Sequence, residues 1–168
     1  MSTMQQLQYV KRGRLEWREV PRPTLDGPNQ ALLKPLAVAR CDLDLPNFRG
    51  ETRFRPPFPV GHEFIGEVIA SSGEPGALPA GTRVAVPFQM SCGSCSACSG
   101  GHTRNCTTTG VANLGLGAHA RIHGGALQDI IKIEHASHML IPLPESIDPV
   151  AAASLSDPEL DADALDNW

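Results

Sequence analysis

The 168-residue sequence carries no excess of positive charge, no long apolar run and no recognisable leader. Asp and Glu outnumber Lys and Arg by 18 to 14, a net charge of -4, which argues against a nucleic-acid partner. The apolar runs are far too short to cross a bilayer, so no membrane partner is expected. The N-terminal "MSTMQQLQYVKRGR" has no apolar core followed by a small-residue cleavage site, which makes the cytoplasm the expected location. No internal repeat is visible. Long helical stretches are missing too: 16 Gly and 15 Pro punctuate the chain and point to many short strands and turns.

The segments between these punctuation marks read mostly as strands. "LQYVK", "RLEWREVPRP", "QALLKPLAVA", "HEFIGEVIAS", "AGTRVAVPF", "GALQDIIKIE" and "HMLIPLP" are short and rich in β-formers. Pro35 predicts a bulge or an edge position, and Gly66 a bulge or close backbone approach. "CDLDLPNFRG" reads as a short helix or turn, and "FRPPFPV" as an extended loop. "DPVAAASL" predicts a helix start, with Asp148 as N-cap and Pro149 at the first helical position. The expected class is mainly β, a barrel or sandwich, over residues 1–156. Residues 157–168 are acidic without a basic residue and read as a solvated tail or as the start of a further domain.

The five cysteines are unevenly placed: Cys41 stands alone, while "CGSCSACSGGHTRNC" holds Cys92, Cys95, Cys98 and Cys106. Short Cys-x-x-Cys steps with glycines let a tight loop close around one ion, and zinc favours four tetrahedral thiolates in a closed structural site. The loop has little apolar side chain to bury, so a metal would supply its ordering energy. A redox pair or an iron–sulfur cluster fits this spacing less well. His102 lies inside the loop and is not needed as a ligand. Upstream, "GHEFIGEVIASSG" sets His62 and Glu63 between glycines at the mouth of a strand; alone, the pair reads sooner as solvated surface residues than as metal ligands.

Taken together and in order, Cys41 in "ARCDLDLP", the "GHEFIGEV" motif, the strand "AGTRVAVPF" and the four-cysteine loop resemble the zinc-containing medium-chain dehydrogenase/reductase family, the alcohol-dehydrogenase-like enzymes. The resemblance runs over nearly the whole chain. It implies a GroES-like β-barrel catalytic domain with short helices and a zinc-binding loop. It implies that Cys41, His62 and Glu63 hold a catalytic zinc, with Glu63 as ligand or nearby alternate. Asp44 would orient His62 from the far side of its ring, and Asp157 is the candidate third ligand. Phe88 matches a position lining the substrate cleft. The geometric expectation is a Cys41 sulfur within ~4 Å of a His62 ring nitrogen.

The sequence departs from the family at two points. Leu43 stands where many members carry a hydroxyl that relays the substrate proton, so water or Asp42 would have to substitute. No Gly-rich turn between a strand and a helix is recognised; "GLGAHA", with Gly115, Gly117 and Ala120, imitates one but lacks a preceding strand and a helical pattern after it. The expected function is the zinc-binding catalytic domain of an NAD(P)-dependent alcohol dehydrogenase-like oxidoreductase acting on a small alcohol or carbonyl, incomplete and inactive alone. NAD(P) is expected only if a Rossmann domain is supplied. The alternative is a free-standing zinc barrel that binds a small molecule or partner without redox turnover. An uncovered barrel face favours association, so a homo-oligomer is among the expected states.

Overall fold

The computed structural model describes residues 2–73 and 75–156. The charge and tail readings for residues 157–168, Asp157 included, lie outside the described residues. Among the described residues, eight strands form two antiparallel sheets. The first sheet contains β1 (Thr3–Lys11), β2 (Arg14–Pro21) and β4 (Phe58–Pro59), in the order β2-β1-β4. The second contains β3 (Gln30–Ala39), β5 (Glu63–Ser71), β6 (Arg83–Val86), β7 (Ile131–Glu134) and β8 (Ile141–Pro142), in the order β7-β3-β5-β6-β8. Among the described residues the sheets stay open and no closed barrel forms. The mainly β class expected from the sequence holds, with barrel-type packing built from two sheets.

Strand identity follows residue chemistry. Central β5 is hydrogen-bonded on both sides, and its first four residues are all buried. Pro35 has no N–H to give the ladder, and the β3–β5 register shifts between Pro35 and Ala37, the bulge its presence predicts. Gly66 faces this bulge; a Cβ there would sit 3.3 Å from the Leu33 Cβ, so the close approach is to a side chain of the neighbouring strand. The main core gathers Leu33, Phe64, Val68, Val84, Val86, Ile131, Ile133 and Met139 between the larger sheet and its loops.

Among the described residues, five short α-helices fill the connections: α1 (Asp44–Phe48), α2 (Ser96–Ser99), α3 (Gly117–His123), α4 (Ala136–Met139) and α5 (Pro149–Ala152). None is long and apolar enough to cross a membrane among the described residues. The α5 start is as expected, with the Asp148 carboxylate accepting the Val150 amide at 3.1 Å. Two expectations are corrected. "GLGAHA" does lead into a helix, α3, whose buried positions are only Gly117 and Ala120, so no apolar stripe announces it. "HMLIPLP" splits between α4 and the two-residue β8, because an apolar run of that length suits a buried helical turn as well as a strand.

Candidate metal centres

Two antiparallel pairings assemble the first cluster. Ala39 of β3 pairs with Glu63 of β5, so the chain leaving β3 delivers Cys41 beside His62 at the same end of the sheet. On the other side Phe64 pairs with Val86, and the same register run two residues further sets Phe88 opposite His62. Helix α1 then starts three residues after Cys41, and its first residue, Asp44, turns back into the cluster. The backbone before His62 is fixed by the Gly61 carbonyl, which accepts the Ala126 amide at 2.7 Å.

The resulting geometry is compact. Cys41 Sγ lies 3.1 Å from His62 Nε2, and the Leu43 amide donates to the same sulfur at 3.3 Å. Glu63 Oε1 is 3.8 Å from His62 Nε2, on the Cys41 side. Asp44 Oδ1 is 3.9 Å from His62 Nδ1, on the opposite side of the ring, while its other oxygen accepts the Cys41 amide at 3.2 Å. His62 and Glu63 are 3% and 4% exposed. Phe88 meets the His62 ring edge to face, with centroids 5.6 Å apart. Burial pushes the Cys41 thiol up, and the Asp44 and Glu63 charges push it the same way. Two carboxylates around a half-buried thiol repel a thiolate, whereas a cation among them would favour all three anions. A sulfur, an imidazole nitrogen and a carboxylate oxygen, from Cys41, His62 and Asp44, lie within 4.8 Å of one another, a donor set that suits a divalent transition metal.

The second cluster is the cysteine loop. The four sulfurs of Cys92, Cys95, Cys98 and Cys106 lie within 4.8 Å of one another, and all four thiols are free. The Cys95–Cys106 sulfur separation is 3.9 Å. Tetrahedral zinc with bonds of ~2.3 Å requires sulfurs ~3.8 Å apart, so the donor set fits that ion. Amides aim at the sulfurs: Cys92 and Thr109 donate to Cys106 and Cys95 donates to Cys92, each at 3.4 Å. Hydrogen bonds, led by the Thr108 hydroxyl, bring the Cys92 thiol down to about 5. The Cys98 amide and Thr107 bring Cys95 to about 6. Burial sends Cys98 up to about 11. His102 is exposed at the rim of the loop.

The remaining candidates separate from these clusters. Gly115 packs against the Gly61 backbone and Gly117 against the Phe54 ring, so close approach explains their small size. Asp42 and Leu43 are exposed beside Cys41. A groove of about 570 Å³ lined by Gln6, Gln128, Arg121 and Lys132 contains none of the cluster residues. Sequence reasoning passed over Thr109, whose amide donates to Cys106 and whose hydroxyl donates to the Met90 carbonyl; in a loop of Ser, Gly and Thr it resembles a solvated residue.

The alcohol dehydrogenase GroES-like domain family matches residues 27–145. The chain belongs to this family. It is 32% identical over 168 residues to L-galactonate-5-dehydrogenase of Escherichia coli K12, a match covering 98% of this chain and 46% of that protein. Among solved structures it is similar to alcohol dehydrogenase TADH from Thermus sp. ATN1, at 28% identity and a TM-score of 0.82, covering 92% of this chain and 44% of that one. It is also similar to acetophenone reductase from Geotrichum candidum NBRC 4597 in complex with NAD, at 28% identity and a TM-score of 0.77, covering 93% and 44%. The GroES-like chain thus spans less than half the length of these relatives.

Proposed function

We propose that these residues supply the alcohol side of a zinc-dependent, NAD(P)-linked alcohol dehydrogenase-like reaction on a small alcohol or carbonyl. The observation that carries this reading is that Cys41 Sγ and Glu63 Oε1 lie 3.1 and 3.8 Å from His62 Nε2 at one end of the larger sheet. Cys41, His62 and Glu63 would hold the reactive zinc, and Cys92, Cys95, Cys98 and Cys106 a structural one. Bound zinc lowers the pKa of a substrate hydroxyl and polarises the corresponding carbonyl.

The chain's own residues prepare that site. Asp44 faces Nδ1 of His62, which favours the tautomer with its proton there and leaves the Nε2 lone pair toward Cys41. Phe88 limits rotation of the imidazole by its edge-to-face contact. The Leu43 amide stabilises charge on the Cys41 sulfur. The Leu43 side chain has no proton to pass on, so the substrate proton leaves through water or exposed Asp42. Hydride transfer needs a nicotinamide held against the substrate, and side chains do not replace that cofactor. All strand pairings among the described residues are antiparallel, so we assign dinucleotide binding to a Rossmann unit outside them.

The test uses metal content and activity together. The purified 168-residue polypeptide should retain two zinc ions; Cys95→Ser should remove one and Cys41→Ser the other. Fused to a family Rossmann domain, it should oxidise small alcohols with NAD or NADP, and alone it should not. Activity of the fusion that survives Cys41→Ser would overturn the assignment.

A further inference from the structure

Strand β2 is one edge of the smaller sheet. It pairs with β1 on its inner side, and among the described residues no strand pairs with its outer side. Residues 14–20 run between the turn at Gly13 and Pro21, which has no amide to give a ladder. Trp17 stands at the middle of that stretch and is 58% exposed; Leu15, on the same face, is also exposed. Glu16 and Arg18 flank Trp17 and share the other face with Arg14. Within one chain the Arg18 guanidinium donates to the Glu16 carboxylate at 3.0 Å, and Arg14 pairs with the same carboxylate. An open edge bearing a bare indole is a template for another strand, and the charges along it decide which strand it accepts.

We propose that β2 pairs antiparallel with β2 of a second copy of this chain, about a two-fold axis through Trp17, joining their two three-stranded sheets into one. A two-fold contact is self-complementary: residue i of one copy faces j of the other, and j faces i. Residues opposite each other in an antiparallel pair share a face, so the axis must pass through a residue rather than between two. Centred on Trp17, Glu16 faces Arg18 of the second copy and Arg18 faces Glu16 of the second copy. Trp17 meets its own counterpart, Leu15 lies opposite Glu19, and Arg14 opposite Val20. The pairing then uses the whole stretch and ends where Gly13 faces Pro21. Neighbouring axes repel. An axis through Glu16 sets two Glu16 carboxylates together and Arg14 against Arg18; an axis through Arg18 sets two guanidiniums together. Like charges directly opposite destabilise a strand pair, whereas opposite charges and aromatic pairs stabilise it. The charges on this edge therefore admit one register. One strand per copy is a small interface, so the association is weak and shows at high protein concentration. None of the candidate metal ligands lies on β2, so the pairing stands apart from the metal chemistry.

Sedimentation equilibrium of the whole chain between ~10 μM and ~1 mM measures the association. Wild type should follow a monomer–dimer equilibrium. Arg18→Glu and Glu16→Arg each turn both attractive cross-strand pairs into repulsive ones, and each should raise the dissociation constant about tenfold or more. An equimolar mixture of the two single variants regains two opposite-charge pairs across the axis and should associate as wild type does. The chain carrying both substitutions should do the same. This rescue separates a lost contact from a lost fold, because two misfolded chains would not restore each other. Amide hydrogen exchange gives a second reading: β2 amides should exchange more slowly as the wild-type concentration rises, and those of Arg18→Glu should not. A wild type that stays monomeric at ~1 mM would overturn the proposal. So would association unchanged by either single reversal, which would put the contact on another face, or a mixture of the two variants that fails to associate.

Discussion

Replacing Gly115 by Ala tests how tightly the backbone behind His62 is built. Gly115 has φ +63, and a Cβ there would lie 2.0 Å from the Gly61 carbonyl oxygen and 2.4 Å from its carbon. Those are backbone atoms of the residue preceding His62, and the same carbonyl already accepts the Ala126 amide. A left-handed conformation costs Ala about 1–2 kcal/mol. Forcing the two backbones apart adds about 1–3 kcal/mol of overpacking, and weakening the Gly61–Ala126 bond about 1 kcal/mol. The expected loss is therefore about 3–6 kcal/mol. Gly13→Ala is the matched control: its φ is +71, but nothing lies within 4 Å of the new Cβ, so only the conformational part remains. The two variants should differ by about 3 kcal/mol in denaturant unfolding, or about 8 °C in Tm. Gly115→Ala should also weaken metal binding at Cys41 and His62, which Gly13→Ala should not. Equal destabilisation by the two substitutions would refute the close-approach argument.

Three further outcomes follow from the clusters and caps. Hydrogen bonds favour the charged form of Cys92 and Cys95, with values of about 5 and about 6, so those ligands are competent above that range and lost as pH falls through it. Zinc addition at neutral pH should accordingly release fewer protons than four ordinary thiols would, measured by calorimetry in buffers of different ionisation enthalpy; release of four protons would contradict it. Asp44→Asn should weaken metal binding at the Cys41 site about 10- to 100-fold while leaving the loop site unchanged, as read by cobalt titration. Asp148→Ala removes the α5 cap and should cost about 1 kcal/mol in denaturant unfolding.

Much of the fold was legible because strands in this chain are bounded by Gly and Pro and contain β-formers. The Pro35 bulge and the Asp148 cap could be read from single residues, since proline lacks an amide and aspartate accepts one. The cysteine loop was legible from spacing alone. The approach of Cys41 to His62 was not, because it depends on the Ala39–Glu63 register; only the ordered motifs pointed to it. Helix α3 escaped because Gly117 and Ala120 carry its burial, and α4 because it is a single turn entered through His135 at φ 56. The contact of the Thr109 amide with the Cys106 sulfur was invisible for a different reason. A donor in a polar loop carries no periodicity, so its direction is known only once the chain is folded.

The two clusters are also joined by one element, which gives a last expectation. Beyond β6 the chain pairs with the far end of the cysteine loop: the Met90 amide reaches the Ala112 carbonyl and the Leu114 amide the Phe88 carbonyl, each at 2.8 Å. Gln89 and Asn113 bridge between them. The loop therefore closes on a stem that begins at Phe88, the ring set edge to face on His62. Opening the loop by Cys106→Ser should loosen Phe88 without dissolving the stem, whose hydrogen bonds and buried Met90 and Leu114 remain. An aromatic pair of this kind contributes about 0.5–1.5 kcal/mol, so metal affinity at Cys41 and His62 should fall between about twofold and tenfold. Cobalt titration of Cys106→Ser against wild type measures it. No change would mean that Phe88 is held by the sheet alone; loss of binding altogether would mean that the loop supports far more than one ring. A modest decrease fits the structure because the stem, rather than the ion, carries most of the connection between the two sites.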